Sequence, residues 1–116
     1  MHRVASMVVL EANTIWYSQA VDMGGGNYPE LEIWAVSASG TSGFTTLLEV
    51  SNDLAQWTAV GTATSPITVV PSYQKYPTTP AAQYARYVRL KVASAETTVG
   101  KNWMFNASIS VHELSS

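Results

Sequence analysis

Residues 103–112 read Trp-Met-Phe-Asn-Ala-Ser-Ile-Ser-Val-His. Trp103, Phe105, Ala107, Ile109 and Val111 take every second place, and from Asn106 onward the places between them are polar. A period of two predicts a strand with one buried face, because successive side chains leave a pleated backbone on opposite sides. The same alternation recurs where Val88, Leu90 and Val92 interleave with Tyr87, Arg89 and Lys91, and where Leu31, Ile33 and Ala35 interleave with Glu30, Glu32 and Trp34. Less regular apolar stretches at 5–11, 14–21, 43–51, 55–60 and 66–70 predict further strands. Between them lie stretches rich in turn-forming residues, at 24–29, 37–43, 51–54, 62–66 and the long 71–83. About eight short strands punctuated in this way predict an all-β fold, an antiparallel β-sandwich of jelly-roll type. No helical stripe, tandem repeat or linker divides the chain, so residues 1–116 read as a single β-sandwich domain.

Composition narrows what such a domain can do. Hydrophobic residues make up 47% and charged residues only 12%, about half the usual charged share near 25%. The surface must therefore lean on Ser, Thr, Asn and Gln. A net charge of −2 with six scattered Lys and Arg speaks against nucleic acid, whose phosphates need clustered cations. With no cysteine, neither a disulfide framework nor a thiolate metal site can form. The apolar patch Met7 to Leu10 ends at Glu11 and is shorter than the roughly 7–15 residues of a signal core. No stretch approaches the roughly 18 apolar residues of a membrane span. No amino-terminal signal is visible, and a virion or an extracellular assembly is the expected location.

The stretch SNDLAQWTAVG, residues 51–61, predicts a tight turn feeding a strand. Asp53 is placed to accept backbone N–H groups, with Ser51 closing the other side. Trp57 is large enough to anchor the core between two sheets. Further along, ARYVRLKV at 85–92 supplies Val88, Leu90 and Val92 to the core. Arg86 shares their parity, so it must pair with a carboxylate or lie near the sheet end. The expected core is Leu31, Ile33, Leu48, Val50, Trp57, Val88, Leu90, Val92, Phe105, Ile109 and Val111.

Ser51-x-Asp53-x-x-x-Trp57 followed by Ala85-Arg86-Tyr87-Val88-Arg89-Leu90 resembles the paired signature of discoidin-like domains, the coagulation-factor type C domains of the galactose-binding-like jelly-roll class. The resemblance implies an eight-stranded jelly roll whose loops at one end bind sugars, lipids or proteins without catalysis. Leu54 stands where that family usually has Gly, and the terminal cysteine pair of its secreted members is absent.

No catalytic constellation stands out. His2, His112, Asp22 and Asp53 fall in no recognised catalytic or zinc-ligand spacing, and no serine sits in a nucleophile elbow. Glu30 and Glu32 have same-face strand spacing, which reads as a solvated strand edge rather than as paired catalytic carboxylates. Asn106-Ala107-Ser108 fits a glycosylation acceptor but falls on an expected strand. The chain reads as a non-enzyme needing neither cofactor nor metal.

Aromatic residues are the expected contacts. Trp34 and Tyr87 have outward parity, and Tyr73 and Tyr76 lie in the long stretch 71–83, expected as a proline-stiffened loop. Flat aromatic area with little charge suits a protein interface or a sugar platform. Two functions follow: a non-catalytic structural protein, such as a phage capsid or tail decoration component docking on a protein partner in a larger symmetric assembly, or a carbohydrate-binding module that takes a glycan.

Overall fold

The computed structural model describes residues 2–77 and 82–113. Its nine strands are β1 (His2–Glu11), β2 (Ile15–Tyr17), β3 (Val21–Asp22), β4 (Tyr28–Ala38), β5 (Phe44–Ser51), β6 (Thr58–Ala59), β7 (Ser72–Tyr76), β8 (Tyr87–Ser94) and β9 (Asn102–His112). They form two antiparallel sheets packed as a sandwich, one ordered β1-β9-β4-β7 and the other β2-β8-β5-β6, with β3 also paired to β8. Apart from β2 to β3 and β5 to β6, every step along the chain crosses from one sheet to the other. That winding is the expected jelly-roll pattern, with one more strand than the alternation predicted.

The strongest alternation in the sequence occupies a central place. β9 lies between β1 and β4, with Ile109 opposite Leu31, Ala107 opposite Ile33 and Phe105 opposite Ala35. These side chains point between the sheets and meet Val88, Leu90 and Val92 of β8, all buried. Period two is legible here because each strand has a neighbour on both sides and one face wholly removed from water.

The core is largely as expected, with one substitution of anchor. Leu31, Ile33, Leu48, Val88, Leu90, Val92, Phe105 and Ile109 are buried, while Val50 and Val111 are partly buried against them. Trp57 is not a core residue: it is half-buried outside the sandwich. The buried tryptophan is Trp103, 1% exposed, packed edge-on to Phe44 at 5.6 Å while Phe44 also meets Phe105 at 5.5 Å. A buried indole N–H needs an acceptor, and Trp103 Nε1 donates to Glu96 Oε2 at 2.8 Å. The same oxygen accepts the backbone N–H groups of Ser42 at 2.7 Å and Gly43 at 2.9 Å. These donors, Trp103 first, hold the Glu96 carboxyl below its ordinary pKa despite the opposing cost of desolvation. Gly43 has φ +83° and so close a neighbour that a Cβ would lie 2.1 Å from the Ile67 carbonyl oxygen, so only glycine serves there.

Four expected stretches are redrawn. The stretch 14–21 splits into β2 and β3, bridged by buried Ser18, whose N–H donates to the Leu90 carbonyl at 2.8 Å and whose Oγ accepts the Leu90 N–H at 2.9 Å. Residues 66–70 form no strand, pairing with β5 through the isolated Phe44–Ile67 bridge, from which Ile67 is buried in the core, and 55–60 shrinks to the two residues of β6. The expected loop 71–83 instead contains β7, which pairs with β4 from Leu31 opposite Tyr76 to Ala35 opposite Ser72. Without it, β4 would leave a row of unpaired backbone groups. Residues 78–81 of that expected loop lie outside the described residues.

Candidate docking surface

The turn that begins at Ser51 is built as its residues suggest. Ser51 Oγ accepts the N–H groups of Asp53 at 3.2 Å and Leu54 at 3.0 Å and donates to Asp53 Oδ1 at 3.0 Å. Asp53 Oδ1 also accepts the N–H groups of Ala55 and Gln56, both at 2.9 Å. These bonds, that of Gln56 foremost, hold the Asp53 carboxyl below its ordinary pKa. The turn places Leu54 at φ +63°, a left-handed conformation in which a Cβ is strained.

The turn does not drive Trp57 inward. It lays the indole over Arg89, whose guanidinium carbon sits 4.1 Å from the Trp57 ring centroid and 4.3 Å from that of Tyr17. Arg89 Nε donates to Glu49 Oε1 at 2.8 Å. The two halves of the sequence signature therefore meet on the outer face of the five-stranded sheet, in a stack of ring, cation and ring tied to a carboxylate. Sequence parity could place Arg89 outward but could not show which rings cover it. Arg86 lies at the sheet end just before β8, exposed, with its guanidinium 5.2 Å from the Tyr87 ring centroid.

Of the four expected contact aromatics, the structure brings two together. Trp34 and Tyr73 sit opposite each other on β4 and β7, with ring centroids 5.3 Å apart and planes tilted by 38°. Both point away from the core, and Tyr73 is 48% exposed. Tyr76 is three residues further along β7, so it turns inward and packs against the core. Tyr87 lies on the other sheet and cannot share a surface with Trp34.

The outer face of the four-stranded sheet divides along the strands. At one end, Val9 pairs with Met104, which faces Ser37 across the β4 bulge that follows Ala35, beside Val36. The next row sets Asn106 beside Trp34 and Tyr73, with Asn106 Oδ1 accepting the Met7 N–H at 2.5 Å. Val9 is 49% exposed and Val36 36%. A shallow concavity of about 480 Å³ lies between Trp34, Val36, Pro71, Tyr73 and Asn106. Asn106 is thus a partly buried strand residue that holds a neighbouring backbone N–H.

The other end of the face is polar. Arg3, Ser108, Glu32 and Lys75 form one row. Beyond it, Glu30 Oε1 lies 3.4 Å from both Lys75 Nζ and His112 Nε2, and Tyr28 donates its hydroxyl to Glu30 Oε2 at 3.1 Å. Burial, then Glu30, raises the Tyr28 pKa. Glu30 and Glu32 are therefore not at a sheet edge, since β4 is flanked by β9 and β7. Among the described residues, no group of three or more His, Cys, Asp or Glu could hold a metal ion. No helix there is long and apolar enough to cross a membrane.

No family model matches the chain, and no curated protein matches it.

Proposed function

We propose that this is a non-catalytic assembly domain, of the kind that decorates a phage capsid or tail, and that it docks on a protein partner through the apolar half of the β1-β9-β4-β7 face. The observation that carries the reading is the outward Trp34–Tyr73 pair, half-buried at Trp34 and 48% exposed at Tyr73, bordered on one side by Val36, Val9 and Met104 and on the other by the Glu32–Lys75 row. Aromatic and methionine side chains on a rigid sheet give large contact area at small ordering cost and are enriched in interface cores. The low charge of the whole chain fits repeated close packing. A second reading, a glycan-binding module, is favoured by the Trp34–Tyr73–Asn106 grouping, where two rings and an amide border one concavity, and by the discoidin-like resemblance.

The deciding experiment measures the native mass of the complex from which the chain is isolated, with Trp34→Ala and Tyr73→Ala variants alongside. Docking predicts a large homogeneous complex that both variants fail to join while melting normally. Undiminished incorporation of both variants overturns it, and a monomer retained on a polysaccharide resin favours the glycan.

A further inference from the structure

We propose that the Trp34–Tyr73 concavity takes an extended, proline-containing segment of the protein partner in polyproline II conformation. The inference deepens the docking reading and rests on it. Its first support is the polarity of the lining. The hollow of about 480 Å³ has no ionised residue in its wall, so a charged ligand would lose water there without gaining a counter-charge. Asn106 Oδ1 accepts the N–H of Met7 on β1. That bond fixes which end of the amide is oxygen and turns the NH2 group away from β1, toward the β4 side where Trp34 lies. Neither this NH2 group nor the Trp34 indole N–H has a hydrogen-bond partner among the described residues. The amide and the indole thus present donors alone, the one amide acceptor being taken.

Its second support is the match to a chain that offers acceptors alone. A prolyl residue has no N–H, and a polyproline II segment leaves its carbonyls without internal partners. An ordinary extended segment would bring N–H groups that neither the amide nor the indole can accept. The dimensions agree as well. Asn106, Trp34 and Tyr73 stand side by side on β9, β4 and β7, two strand spacings or about 9.6 Å from first to last. Three polyproline II residues make one turn and cover about 9.3 Å, so a segment laid across the strands sets one turn over the row. Its apolar rings then rest on Trp34 and Tyr73. Among the described residues no cation lies over those two rings, whereas Arg89 fills the space between Tyr17 and Trp57 on the other sheet. A ligand already stiff before contact also loses little freedom on docking.

The test is fluorescence anisotropy of dye-labelled octaproline titrated with the purified chain, with the Trp34 indole N–H resonance followed by NMR. Saturation with a midpoint below about 1 mM and a shifted Trp34 resonance are expected. Asn106→Asp keeps an acceptor for the Met7 N–H and replaces the donor by a carboxylate. It should melt near wild type yet bind at least about tenfold more weakly. Trp34→Phe keeps a ring but loses the N–H and should weaken binding about three- to tenfold. Ile15→Asp, on the other sheet and 56% exposed, should leave binding intact. If Asn106→Asp fails to fold, Tyr73→Ala makes the same test, with at least about a tenfold loss expected. Octaproline that fails to saturate, or that binds the Asn106, Trp34 and Tyr73 variants as well as wild type, overturns the proline ligand. So does a Trp34 resonance that moves with cellotetraose and not with octaproline. If in such a case Trp34→Ala and Tyr73→Ala chains still fail to join the native complex, the proline ligand alone is removed and the docking reading stands.

Discussion

Arg89 offers a direct test of why the turn at 51–57 and the strand at 87–94 belong together. Its guanidinium lies between Tyr17 and Trp57, and its side chain is 23% exposed, beside a Glu49 side chain that is 13% exposed. A cation over an aromatic ring is worth about 0.5–1 kcal/mol when exposed and about 2 when desolvated. At this partial burial the Trp57–Arg89 contact should contribute about 1 kcal/mol. Arg89→Ala removes that contact, the one with Tyr17 and the hydrogen bond to Glu49, leaving a largely covered carboxylate without its cation. The sum is about 2–3 kcal/mol. The assay is urea unfolding of wild type, Trp57→Ala, Arg89→Ala and the double variant, with the coupling energy taken from the cycle. A coupling of about 1 kcal/mol is expected, and Arg89→Lys should recover less than half of the loss because the compact ammonium cannot lie flat between two rings. Independent single effects, with coupling below about 0.3 kcal/mol, would refute the stack as the link between the two segments.

Leu54→Gly should raise stability by about 0.5–1 kcal/mol in the same assay, since relief at φ +63° exceeds the entropy that glycine adds to the unfolded chain. Tyr76→Ala should lower the melting temperature because the ring packs on the core, whereas Tyr73→Ala should leave it nearly unchanged. Folding lowers the pKa of Glu96, so its ionised form favours the native state. That contribution is fully present above the unfolded value near 4.5 and is lost as pH falls through the folded value. Urea midpoints measured as pH falls from 6 toward about 2 should therefore decline below pH about 4.5, and Glu96→Gln should flatten the decline.

The parts of the fold that the sequence disclosed are those where burial is one-sided and the neighbours are aliphatic. β9, β8 and the middle of β4 alternate because each presents one row to a dry interior. β7 escaped notice for a physical reason: its inward residues are Ser72, Gln74 and Tyr76, and its most hydrophobic outward one is Tyr73, so the usual polarity of the two faces is blurred. Trp57 misled because size argues for burial, while its actual resting place depends on Arg89, which no local pattern connects to it. Glu96 lay beyond reach for a similar cause. A carboxylate in a loop, 4% exposed, is satisfied by donors from Ser42, Gly43 and Trp103, three points that only the folded chain brings together. At the surface, parity correctly turned Trp34 outward, but whether Tyr73 or Tyr76 would join it depended on a strand that the prolines at 71 and 77 disguised.

The placement of β9 also sets an order on how the molecule can assemble itself. The first strand hydrogen-bonds to the ninth, and the ninth also separates the first from the fourth. During synthesis the β1-β9-β4-β7 sheet therefore lacks its middle until β9 emerges, with β1 and β4 each holding an open edge toward the gap. The other sheet is completed one strand earlier, when β8 enters between β2 and β3 on one side and β5, already paired to β6, on the other. Late insertion of a central strand carries a high loop-closure cost and exposes unpaired edges while it is awaited. A chain lacking residues 102–112 would thus leave the inward apolar rows of β1 and β4 and their facing edges uncovered.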